Sequence, residues 1–114
     1  MSMKLTTREV AGVTILDLSG KITLGEGGAT LRDEVRKLVS EGKKKIVLNL
    51  GEVNYIDSSG LGELVSAYTA VKNAGGELKL LNLTSKVRDL LVIAKLVTVF
   101  DVKDDEASAV SAFA

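Results

Sequence analysis

Residues Ile46-Val-Leu-Asn-Leu50 form a short, almost continuously apolar run. Such a run reads as a central β-strand covered on both faces, which demands chain layered above and below it. The flanking periodicities supply those layers. Upstream, Leu5 to Val10 and Val13 to Leu18 alternate like strands and are separated by Ala11-Gly12, which predicts an antiparallel pair. Gly20 ends that pattern, and Gly25, Gly27 and Gly28 predict a glycine-rich loop. From Ala29 the period becomes helical: Leu31, Val35, Leu38 and Val39 share one face. Gly42 suits the position after that helix, and Lys43 to Lys45 sit where its dipole favours cations.

Downstream, a second helix is predicted from near Ser59, with Leu61, Leu64, Val65, Tyr68 and Val71 at helical spacing and Gly75-Gly76 at its end. Leu78 to Leu81 is the next strand. Thr84 or Ser85 caps a third helix carrying Val87, Leu90, Leu91 and Ala94. Val97 to Phe100 reads as a last strand, and Asp104, Asp105 and Glu106 open a C-terminal helix with acid at its positive end. The order β-β-α-β-α-β-α-β-α predicts an α/β fold: one domain over 1–114, a mixed, mostly parallel sheet of four to five strands, and about four helices. In such sheets, sites gather beyond the carboxyl ends of the strands. Val92, Ile93 and Leu96 lie off the apolar face of the third helix and are assigned to core beneath the C-terminal helix, a docking surface being the alternative.

Composition removes whole classes of function. Fifteen basic and fifteen acidic residues cancel, which argues against a nucleic-acid partner. The chain has no Cys, excluding thiol chemistry and disulfides, and no His, excluding a His general base or metal ligand. Neither cofactor nor metal is expected. Met1 to Thr7 lacks the apolar stretch of a signal peptide, and the run Leu90 to Ala94 is far short of the ~20 residues that span a bilayer. A soluble, cytoplasmic protein without a membrane partner is expected.

The informative segment is Val53-Asn-Tyr-Ile-Asp-Ser-Ser-Gly-Leu-Gly-Glu-Leu64, read as a loop leading into a helix. Asp57 or Ser58 is suited to cap that helix, but one cap accounts for neither Ser59 nor the glycine pair. Gly60 and Gly62 cost roughly 1 kcal/mol each relative to Ala in a helix. Both are read as keeping the surface open to another molecule, so Gly→Ala at either should hold or raise stability. A serine nucleophile here lacks the G-x-S-x-G frame and a histidine, and Gly25-Glu-Gly-Gly28 lacks the phosphate-loop pattern.

Tyr55-Ile-Asp-Ser-Ser-Gly-Leu-Gly62 resembles the signature of the STAS domains of anti-sigma-factor antagonists. Gly20-Lys-Ile, the strand Ile46–Leu50, Gly75-Gly-Glu-Leu-Lys-Leu and Val99-Phe-Asp101 extend the likeness over nearly the whole chain. The resemblance implies a binding module, not an enzyme, whose Ser58 is phosphorylated by an anti-sigma factor with serine kinase activity and restored by a serine phosphatase. The unphosphorylated form would bind that kinase and release a sigma factor. It also implies partner contacts at Thr23, Asp57, Ser58, Ser59, Gly60, Leu61 and Gly62, and a monomer or weak dimer. Thr23 stands where phosphorylated members often carry an acidic residue. The alternative within the family is an interaction module of a signalling scaffold or transporter complex without a phosphorylation cycle.

Overall fold

The structure, a computed structural model, describes residues 3–23 and 26–113. Five strands, β1 (Lys4–Val10), β2 (Val13–Ile22), β3 (Lys45–Ile56), β4 (Glu77–Leu81) and β5 (Asp101–Lys103), lie side by side in chain order. β1 runs antiparallel to β2, and the pairs β2–β3, β3–β4 and β4–β5 are parallel. When consecutive strands are neighbours, right-handed crossovers return every connecting helix to one side of the sheet. Helices α1 (Glu26–Ser40), α2 (Ser58–Asn73) and α3 (Ser85–Ile93) accordingly share one apolar layer with the sheet. The last helix, α4 (Glu106–Ser111), covers the opposite face.

β3 is the middle strand, and both its faces are buried as its apolar run requires. Ile46, Leu48, Leu50 and Val53 enter the layer beneath α1 to α3, and Val47 enters the layer beneath α4. The strand does not end at Leu50. It continues to Ile56, so most of the expected loop is strand. Its extra length is taken up in two irregularities against β2, where Asp17↔Asn49 is followed by Ser19↔Glu52, and Gly20↔Val53 by Lys21↔Tyr55. At the first of them Asn49 accepts the Gly51 N–H at 3.1 Å, and its amide donates to Asp17 at 2.8 Å. A side chain thus supplies the hydrogen bond that the ladder omits.

Three other expectations are corrected. Gly27 and Gly28 lie inside the first turn of α1 rather than in a loop, whereas Gly25 falls outside the described residues. A Cβ on Gly27 would stand 2.3 Å from the Lys21 carbonyl oxygen, and one on Gly28 would stand 3.0 Å from that of Thr23. Close packing on the end of β2, not flexibility, explains these glycines. The last strand is the charged Asp101–Lys103, not Val97–Phe100. In that earlier segment Val97 packs against the main core and the Phe100 ring meets the edge of Tyr68 at 5.3 Å. Finally, Val92 and Ile93 are exposed, because α4 lies on the other face; Leu96 alone packs on the core. Among the described residues, no helix is long and apolar enough to cross a membrane.

Candidate functional site

The carboxyl ends of β2 and β3 lie side by side, with Ile22 opposite Ile56, so the next residues, Thr23 and Asp57, meet at one edge of the sheet. There the chain turns directly from strand into helix through Asp57. This residue has extended backbone, φ −106° and ψ −176°, and its carboxylate accepts the Gly60 N–H at 2.7 Å. Of the two residues suited to cap α2, the cap is Asp57. Its own N–H donates to the Ile22 carbonyl at 3.4 Å, and its carbonyl accepts from Leu61 at 2.9 Å. The junction is therefore fixed by backbone and cap together.

Capping by Asp57 leaves Ser58 and Ser59 as the first two residues of α2, both exposed. Among the described residues neither hydroxyl makes a hydrogen bond. They stand where the free N–H groups and the positive end of the helix dipole favour negative charge. No acidic residue occupies the first turn of α2.

The two glycines of the motif behave differently. Gly60 is buried, and a Cβ there would stand 2.0 Å from the Ile22 carbonyl oxygen and 2.9 Å from the Ile56 side chain. The expectation that Gly60 keeps a surface open is thus corrected: its bare Cα lets the first turn of α2 sit on the end of β2. Gly62 is exposed, with nothing within 4 Å of an added Cβ, and matches the open-surface expectation. Leu61 is 8% exposed and belongs to the main core. Thr23 is half-buried, and its carbonyl accepts the Gly28 N–H at 3.1 Å.

The seven residues therefore divide. Thr23, Asp57, Ser58 and Ser59 share the edge, Gly62 lies exposed on the following turn, and Gly60 and Leu61 face inward. Sequence reasoning missed the ion pair from Arg32 of α1 to Glu63 of α2, 2.6 Å long, which ties the two helices together just beyond the site. No local motif announces a pair 31 residues apart. Among the described residues, no group of His, Cys, Asp or Glu could hold a metal ion.

A surface built from one capped helix start and two hydroxyls is chemically suited to being recognised and modified, and comparisons with known proteins identify the family of the fold that carries it. The STAS domain family matches residues 4–109. BtrV of Bordetella bronchiseptica, which carries the provisional name of an anti-sigma factor antagonist, is 31% identical over 97% of this chain and 95% of its own. The anti-sigma-B factor antagonist of Bacillus subtilis is 32% identical over 76% of this chain and 78% of its own. Among solved structures, an anti-sigma factor antagonist from Mycobacterium paratuberculosis superposes with a TM-score of 0.86 at 20% identity, over 98% of this chain and 94% of that one. The Bacillus protein SpoIIAA, solved in phosphorylated form, gives 0.74 at 18% identity, over 96% and 98% of the two chains. The chain belongs to the STAS domain family, among its anti-sigma factor antagonists.

Proposed function

We propose that this protein binds an anti-sigma factor that is also a serine kinase, releases a sigma factor in doing so, and is switched off by phosphorylation of Ser58. The observation that carries this reading is the placement of Ser58: exposed, with no hydroxyl hydrogen bond among the described residues, and first in α2 directly after the Asp57 cap. A relative of the same fold has been solved in phosphorylated form, which supports a phosphate-bearing state.

The chemistry is local. A phosphate on Ser58 brings about −1.5 to −2 charges to the positive end of a helix, so the fold accepts it without rearrangement. The same charge beside Asp57 repels and desolvates poorly against a docked partner. Binding is lost while the domain keeps its shape. Thr23, Asp57 and Ser59 frame the contact, with Gly62 leaving space on the next turn. A serine phosphatase restores the binding form.

Phosphopeptide mapping after incubation with the cognate kinase and ATP tests this. Phosphate is expected on Ser58, with none on the Ser58→Ala protein, while Ser59→Ala remains a substrate. Ser58→Asp should fold normally yet bind the kinase at least about tenfold more weakly, or about 1.4 kcal/mol. Phosphate on Ser59 or on Thr23 alone would move the switch to another residue. No phosphate under any condition would favour an interaction module without a phosphorylation cycle.

A further inference from the structure

Ser58 and Ser59 offer a kinase the same chemistry. Both are exposed, neither hydroxyl makes a hydrogen bond among the described residues, and both stand in the first turn of α2. The difference lies one turn further along the helix, where side chains at i and i+4 are neighbours with Cβ atoms about 5–6 Å apart. For Ser58 that neighbour is Gly62, and nothing stands within 4 Å of a Cβ added there. For Ser59 it is Glu63, whose carboxylate accepts from Arg32 of α1 at 2.6 Å. Glu63 is held in place: its side chain is 21% exposed, and its Cγ lies 2.9 Å from where a Cβ on Gly28 would stand. One serine therefore overlooks open space and the other a fixed negative group.

We propose that Glu63 is a specificity-determining residue, directing phosphate to Ser58 by disfavouring Ser59. The inference rests on the reading of Ser58 given above and adds what selects that serine over its neighbour. Phosphoryl transfer joins the serine oxygen to the γ-phosphorus of ATP and breaks the bond from that phosphorus to the bridging oxygen of ADP. The hydroxyl proton passes to a base of the kinase. Negative charge thus gathers at the accepting serine and stays there, as about −1.5 to −2 charges at neutral pH. Like charges at i and i+4 repel, and Arg32 and Gly28 keep the Glu63 side chain where it is. After Ser58 the bare Gly62 imposes no such cost. Asp57 adjoins Ser58, but its carboxylate is bonded to the Gly60 N–H at 2.7 Å and partly neutralised by the helix end. Arg32 offsets part of the Glu63 charge, which gives the ion pair two levers of opposite sign. Removing the carboxylate should open Ser59, and removing the guanidinium should close it further.

Quantitative phosphopeptide mapping after incubation with the cognate kinase and ATP tests the choice. Adding Glu63→Gln, which keeps an oxygen for Arg32, to Ser58→Ala should raise phosphate on Ser59 at least about threefold above Ser58→Ala alone. Adding Arg32→Ala instead should raise nothing. With both serines present, Gly62→Glu should slow phosphate uptake at Ser58 at least about threefold relative to Gly62→Gln, a neutral side chain of the same size. A second readout needs no kinase. With phosphoserine built into the full chain at position 59, phosphorus NMR should show Glu63→Gln lowering the second phosphate pKa by at least about 0.3. With phosphoserine at position 58, the same substitution should move it by less than about 0.1. A Ser59 signal indifferent to Glu63→Gln, in mapping or in NMR, overturns this inference while leaving Ser58 as the wild-type site. Phosphate on neither serine of the wild type, or on Ser59 alone, overturns the Ser58 reading and this choice with it. The unmutated chain therefore tells the two failures apart.

Discussion

On one face of the sheet, α1, α2 and α3 bury a continuous apolar layer from Leu16 and Leu18 through Leu64 and Val71 to Leu91. On the other, the six-residue α4 closes a patch of six buried residues, Val13, Ile15, Val47, Leu81, Ala109 and Phe113. Charge surrounds that smaller patch. Arg8 spans from Asp17 to Glu106, both at 2.6 Å, pinning α4 to the β1–β2 pair. Lys79, its side chain only 7% exposed, reaches Asp101 at 2.6 Å and Glu77 at 3.3 Å, and its ammonium stands 4.9 Å from the centre of the Phe113 ring. Burial works against the Lys79 charge, yet the hydrogen bonds it donates to the two carboxylates outweigh it and hold its pKa above the usual value. The difference is physical: one face is held by area and the other by a little area and several charges, so the two should fail under different stresses.

Core truncation should expose the contrast most strongly. Leu64→Ala removes a fully buried side chain from the larger layer and should cost about 2–5 kcal/mol in urea denaturation. Next in size is Gly60→Ala, where the new methyl must displace α2 from the Ile22 carbonyl. A loss of about 1–3 kcal/mol is expected, read by thermal unfolding. A neutral result would mean that α2 sits on β2 less tightly than its geometry implies.

The smaller face should answer to pH instead. Hydrogen bonds from Arg8 lower the pKa values of Asp17 and Glu106, and Lys79 lowers that of Asp101. The unfolded chain therefore binds protons more readily than the folded one. The contribution of these pairs is full above the ordinary carboxylate values near 4 and is lost as pH falls through the lowered ones. In NMR, the Ala109 methyl should shift and broaden on acidification before the Leu64 methyls do. Simultaneous loss would show that area dominates on both faces. At neutral pH Arg8→Met should cost no more than roughly 1 kcal/mol, because its partners are partly solvated. Smallest of all, Gly62→Ala should gain roughly 0.5 kcal/mol, opposite in sign to Gly60→Ala, since its Cβ meets open space.

What could be seen beforehand divides along the same lines. The middle strand, its burial on both sides and the three amphipathic helices were legible because apolar periodicity reports directly on burial. The strand-to-helix junction that holds the candidate site was legible as a motif, with Asp57, Ser58 and Ser59 at a helix start. The errors share one cause. Val97-Thr-Val-Phe100 has the side chains of a strand, but the β4 backbone meets Asp101 to Lys103, where Asp101 lies opposite Lys79 and neutralises it. Gly27, Gly28 and Gly60 look like loop or open-surface residues, yet each lies against a backbone carbonyl outside its own helix: that of Lys21, Thr23 and Ile22 respectively. Ile93 looked like core until the position of α4 was known. Contacts made to backbone of another element, near or distant in sequence, leave no mark on local composition.

The seating of Gly27 on the Lys21 carbonyl and of Gly60 on the Ile22 carbonyl also limits how news can travel through this domain. With bare Cα atoms pressed on neighbouring peptide groups of one strand, neither α1 nor α2 can rotate or slide at its start without lifting off the sheet. A mark placed at the head of α2 would therefore not be relayed by a lever. It would be legible only where it is written, to whatever touches that spot. The domain would act as a rigid tag, and a mutation elsewhere in it would garble the message only by unfolding the page.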